Sequence, residues 1–105
     1  MAERLITEGK LAVLHAFFDN IHADSRVTTA HISLFFALWT KWLETREKQT
    51  IIFFTRDIMP LSKISSVSTY HKAIKQLGEY GYINYEPSFN HNVGSTVAFF
   101  NPDKN

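Results

Sequence analysis

The stretch Leu61-Ser62-Lys63-Ile64-Ser65-Ser66-Val67-Ser68-Thr69-Tyr70-His71-Lys72, with Leu77 and then Gly81-Tyr82-Ile83 beyond it, decides how the chain reads. Ser65 or Ser66 suits a helix N-cap, because a serine oxygen accepts from an amide that the first turn leaves without a partner. From there Val67, Tyr70, Ile74 and Leu77 recur at i, i+3, i+7 and i+10, the spacing of one helical face. The remaining surface carries Ser68, Thr69, His71, Lys72, Lys75 and Gln76. Gly81 falls where a helix end favours a left-handed residue. The spacing predicts a helix over 66–80 with one apolar face and one polar, cationic face.

Upstream, Thr55 or Asp57 can cap a short helix over 57–63 that contains Ile58 and Leu61 and is limited by Pro60. Before it, Ile51-Ile52-Phe53-Phe54 is β-branched and aromatic, which predicts a brief buried strand over 51–54. Downstream, strands over 82–86 and 96–100 flank the polar loop Pro87–Ser95 and read as a β-hairpin. Towards the N-terminus, Thr28 or Thr29 caps a helix over 30–46, with Ile32, Phe35, Phe36, Trp39 and Trp42 on one side. Leu34, Leu38 and Leu43 fill much of its other side. A first helix over 10–23 carries Leu11, Leu14, Phe18 and Ile21 on one face, widened by Val13 and Phe17, before the polar break Asp24-Ser25-Arg26.

A short helix, a turn and a longer helix with a polar outer face form the helix-turn-helix pattern. A hairpin after it and a short strand before it can join into one three-stranded sheet. The expected fold is therefore α+β: a single winged helix-turn-helix domain over 1–105, with three to four helices, a small antiparallel sheet and a C-terminal β-hairpin wing. The Leu61–Lys72 segment with Leu77 and Gly81-Tyr82-Ile83 resembles the winged-helix signature, where a Ser/Thr-rich turn opens a recognition helix and Leu, four positions before Gly, leads into the wing. His22-Ala23-Asp24-Ser25-Arg26-Val27-Thr28-Thr29, the His31–Trp42 helix and Tyr82–Phe100 are together similar to a family of small proteins from Bacteroidota genomes and mobile elements. Its members are labelled transcriptional regulators or DNA-binding proteins. The resemblance spans Ile21 to Phe100 and implies a winged-helix regulator.

Composition narrows the alternatives. The 105 residues are 45% apolar and include nine Phe, which excludes a disordered tail. With no cysteine there is no disulfide, thiolate nucleophile or cysteine zinc site. The start MAERLITEGK lacks the apolar centre of a secretion signal, and no apolar run approaches the ~20 residues of a membrane span. A cytoplasmic protein without membrane contact is expected. Net charge is only +1, but its distribution is uneven. From Lys41 to Gly78, seven bases face three acids, an excess of four, and from Ile58 to Gly78 there are three lysines and no acid. A basic flank of this kind meets phosphate.

The expected partner is double-stranded DNA. Ser66, Ser68 and Thr69 would donate to phosphate or base edges, and His71, Lys72 and Lys75 would project into the groove. Lys63 and the wing-tip residues Asn90, His91 and Asn92 would meet the backbone. Because Pro87–Ser95 holds no Lys or Arg, one copy would bind modestly, and a homodimer would double the phosphate contacts. Either the first helix or a second copy covers the surplus apolar surface of the 30–46 helix; Leu34, Leu38 and Trp42 are the candidate dimer contacts. His15, Asp19 and His22 at i, i+4 and i+7 all come from one helix, which favours a surface pair over a metal site. No phosphate loop, nucleophile elbow or close carboxylate pair appears, so neither enzyme activity nor a cofactor is expected. The competing expectation is a winged-helix module for protein interaction or assembly.

Overall fold

The computed structural model describes residues 2–46, 49–90 and 92–100, with backbone only for 2–6. Along the chain these form α1 (Ala2–Ile21), α2 (Thr29–Leu43), β1 (Thr50–Phe53), α3 (Thr55–Ser62), α4 (Val67–Glu79), β2 (Ile83–Glu86) and β3 (Ser95–Phe99). The architecture is α+β, four helices and a three-stranded antiparallel sheet in the order β1-β3-β2. Ile51 is opposite Val97, and Ile83 is opposite Phe99, so β3 receives the early strand on one side and its hairpin partner on the other. Strand alternation turns Ile51, Phe53, Ile83, Val97 and Phe99 inward, each no more than 3% exposed.

Those side chains meet α2, α3 and α4 in one apolar core. Trp42 stacks on Phe99 at 4.2 Å, and Phe17 of α1 stacks on Phe35 of α2 at 3.8 Å. Leu34, Leu38 and Trp42, expected at a dimer contact, are 0%, 0% and 2% exposed within a single chain. A side chain with no surface cannot meet a second copy, so the apolar excess of α2 is core and those three residues form no interface. Among the described residues of α1 and α2 the exposed large apolar side chains are Leu11, Phe18, Phe36 and Leu43, so α1 packs through Val13 and Phe17 rather than through the Leu11 and Phe18 face.

Several boundaries move for local reasons. Helix α1 starts at Ala2 rather than near residue 10, because Ala2, Glu3, Arg4 and Leu5 favour helix without needing an apolar period. Helix α2 ends at Leu43 rather than Arg46, with Glu44 as its C-cap. Here Lys10 takes an unexpected place: it is 2% exposed, and its ammonium donates to the carbonyls of Trp42 (2.6 Å) and Thr45 (2.8 Å). A cation at the negative end of a helix is stabilising. The Trp39 indole N–H donates back to the Lys10 carbonyl at 2.8 Å, which fastens α1 to α2. Helix α3 starts at Thr55, so Pro60 lies inside it rather than in its first turn. The missing N–H leaves one helical bond unmade, and the helix stops soon after at Lys63, whose φ of 63° is left-handed. Gly94 enters β3 tightly: a Cβ there would lie 2.7 Å from Ile52 Cγ2 and 2.9 Å from the Phe53 carbonyl oxygen. No helix among the described residues is long and apolar enough to cross a membrane.

Candidate nucleic-acid interface

Helix α4 has two faces, although Val67, expected on the apolar one, is 58% exposed. Tyr70, Ala73, Ile74 and Leu77 are buried, whereas Ser68, Thr69, His71, Lys72 and Lys75 are exposed. Ser66 caps the helix, its oxygen accepting from the Thr69 N–H at 3.3 Å, and it shares a hydrogen bond with Ser68 Oγ at 3.1 Å. Lys63, in the turn that separates α3 from α4, is exposed as well. The six exposed polar side chains therefore line one flank, together with the capping serine. Among the described residues no carboxylate pairs with Lys63, Lys72 or Lys75. The nearest acids along the chain are Asp57 in the first turn of α3 and Glu79 at the end of α4.

What orients this flank is a set of polar ties to the α1–α2 corner. The Thr28 N–H donates to His31 Nδ1 at 2.8 Å, which leaves the ring proton on Nε2 to donate to Gln76 Oε1, also at 2.8 Å. His31 is 3% exposed, so this bond ties the start of α2 to the last turns of α4 from inside. At the other end of the corner, Asp24 accepts from Arg26 Nε (2.8 Å) and Nη2 (2.9 Å) and from the Tyr82 hydroxyl (2.6 Å). The Arg26 guanidinium lies 4.1 Å from the centre of the Tyr80 ring. Those donors, Arg26 first and Tyr82 second, hold the Asp24 carboxyl well below the usual carboxylate range. Burial, reinforced by the bond to Asp24, pushes the Tyr82 phenol up to about 12.

The β2–β3 loop brings Asn90 and Asn92 to the surface; His91 lies outside the described residues. Its backbone is held by its own side chains: Ser88 N–H donates to Ser95 Oγ (3.1 Å), Asn90 N–H to Ser88 Oγ (3.2 Å) and Asn92 N–H to Asn90 Oδ1 (2.9 Å). Phe89, beside them, is 94% exposed. A groove of about 540 Å³ separates α4 from β2 and is lined by His71, Lys75, Glu79, Asn84 and Pro87. A second, of about 550 Å³, lies between the loop and the start of α3, lined by Phe54, Arg56, Phe89, Asn90 and Val93. Arg56 sits 4.3 Å from the centre of the Phe54 ring.

The candidate residues thus fall into two groups: Lys63, Ser66, Ser68, Thr69, His71, Lys72 and Lys75 around α4, and Asn90 and Asn92 on the loop. Residue-by-residue reading missed the place of Arg56, which lies in the first turn of α3 beside the loop, and of Phe89, which belongs to no helical or alternating pattern. On α1, His15 Nδ1 lies 3.3 Å from Asp19 Oδ2 in an exposed pair, and no cluster of three metal-ligating side chains occurs among the described residues. No protein-family model matches the chain, and no curated protein or solved structure matches it either.

Proposed function

We propose that this chain is a cytoplasmic winged-helix DNA-binding protein, a transcriptional or mobile-element regulator with no chemistry of its own. Helix α4 enters the major groove of duplex DNA, and the β2–β3 loop acts as the wing. The observation that carries the reading is the outer flank of α4: Ser68, Thr69, His71, Lys72 and Lys75 stand in solvent, and no described carboxylate forms an ion pair with the lysines, Glu79 lying one turn beyond Lys75. A helix that buries one face on its own core and presents a narrow, polar, cationic face is the arrangement that major-groove reading requires. The element order supports it, with a short helix and turn before α4 and a hairpin after it. A homodimer would multiply the phosphate contacts, through residues other than Leu34, Leu38 and Trp42.

The test is a salt titration of duplex binding. Affinity falls with a log–log slope of about −0.9 per phosphate neutralised, so Lys72→Ala with Lys75→Ala should shallow the slope by nearly two. Absence of duplex binding at low salt, or an unchanged slope in the double variant, would favour the competing role as a protein-interaction module.

A further inference from the structure

The wing combines three properties. Its sequence from Pro87 to Ser95 contains no Lys, Arg, Asp or Glu, so it offers a polyanion no permanent charge. Its described residues are nonetheless tied to one another, by the Ser88, Asn90, Asn92 and Ser95 hydrogen bonds and by the Val93 N–H donating to the Asn90 carbonyl at 3.0 Å. On that tip Phe89 is 94% exposed, so its ring packs on almost nothing of its own chain. Each side of the wing carries a cation: Lys75, with Glu79 beside it, in the groove shared with α4, and Arg56 in the groove shared with α3.

We propose that Phe89 is an apolar wedge that enters the minor groove of bound duplex DNA, unstacks one base step and bends the helix. The inference rests on the DNA-binding reading above and adds to it a deformation that phosphate contacts do not supply. Proteins that kink DNA from the minor groove do so with an apolar side chain flanked by residues such as Asn that read the groove floor. Asn90 and Asn92 occupy that flanking position. Asn90 Oδ1 is committed to the Asn92 N–H, which leaves the Asn90 amide NH₂ as a donor. Acceptors on A·T pairs in the minor groove are its complement, so the preferred step is A·T-rich and easily unstacked. Lys75 and Arg56 would meet the phosphates on either side of the wing, supplying the charge that the tip lacks.

An A·T-rich duplex of about 30 base pairs, dye-labelled at both ends, reads the bend by energy transfer. The intact chain should bend it within the roughly 20–90° range of side-chain wedges. Phe89→Ala should bind about tenfold more weakly and leave the duplex nearly straight, and Phe89→Leu should keep most of the bend. The salt slope should be the same for all three, because no phosphate contact is touched. Since Phe89 is exposed, these variants should fold and melt like the parent chain. Binding without bending, or equal bending by Phe89→Ala, would overturn the wedge while leaving the DNA reading intact. Failure of the intact chain to bind any duplex at low salt would overturn both and leave Phe89 as a contact for a protein partner.

Discussion

Replacing Lys10 by Met tests whether the fastening of α1 to the end of α2 is as strong as its geometry implies. Methionine keeps an unbranched apolar stem, one atom shorter, and removes the ammonium. The Trp42 carbonyl would keep the Thr45 N–H (3.0 Å) and Thr45 hydroxyl (2.8 Å) as donors, whereas the Thr45 carbonyl would lose the ammonium it accepts from at 2.8 Å. A hydrogen bond from a charged donor contributes ~1.5–3 kcal/mol, and a cation at a partly buried helix C-terminus up to ~2 kcal/mol. New apolar burial of the methionine offsets part of this, for a net loss of about 2–3 kcal/mol. In a chain of this size that lowers the melting temperature by roughly 10–20 °C. Urea unfolding followed by tryptophan fluorescence is a direct assay, since Trp39 and Trp42 both lie beside Lys10. A variant within about 0.5 kcal/mol of the parent, or a more stable one, would refute the reasoning, because surface lysines behave in that way.

Leu38→Ala should cost about 2–5 kcal/mol in folding and leave the sedimentation mass unchanged, because the residue is core; a mass change without destabilisation would contradict this. Gln76→Leu removes the acceptor of the buried His31 N–H at a cost of about 1–3 kcal/mol, and by loosening α4 it should weaken duplex binding without altering the salt slope. A folded-state pKa below the unfolded value means that Asp24 contributes stability above the ordinary carboxylate range, lost as pH falls below about 4. Asp24→Asn should therefore flatten acid unfolding. In alkali the sign is opposite: Tyr70, pushed up by burial, and Tyr82 both titrate at about 12, so their contribution is complete below about 10 and disappears as pH passes about 12. Phenolate absorbance that rises in one step near pH 10, with the fold intact, would disprove it.

Periodicity carried most of the fold into the sequence. The i, i+3, i+7, i+10 series from Val67 to Leu77 marks α4, and alternation in Ile83–Tyr85 and Thr96–Phe99 marks the hairpin, because both patterns are local. Relations between distant residues were not legible. Lys10 lies 32 residues from the Trp42 carbonyl it caps, and nothing in a helix-forming stretch distinguishes a buried lysine from a solvated one. The apolar surround of α2 required a cover, but the pattern could not say whether the cover was α1 with the sheet or a second copy; packing assigns it to the chain itself. Pro60 limits a helix wherever it occurs, yet α3 begins two residues earlier than its acidic first turn suggested, which places the proline deeper inside it. At the candidate site, the serines and lysines of α4 follow from the helical face they occupy. Phe89 does not, since loop geometry decides its exposure, and the groove that brings Arg56 beside it forms only when the β2–β3 loop packs near α3.

The central claim is that the outer flank of α4 lies against duplex DNA, and amide NMR of the labelled chain during a low-salt duplex titration tests it most directly. The account expects the largest shifts in Ser66–Lys75 and in the β2–β3 loop around Asn90 and Asn92, with the amides of α1 unmoved. Shifts confined to α1, or a spectrum that does not change as duplex is added, would contradict it.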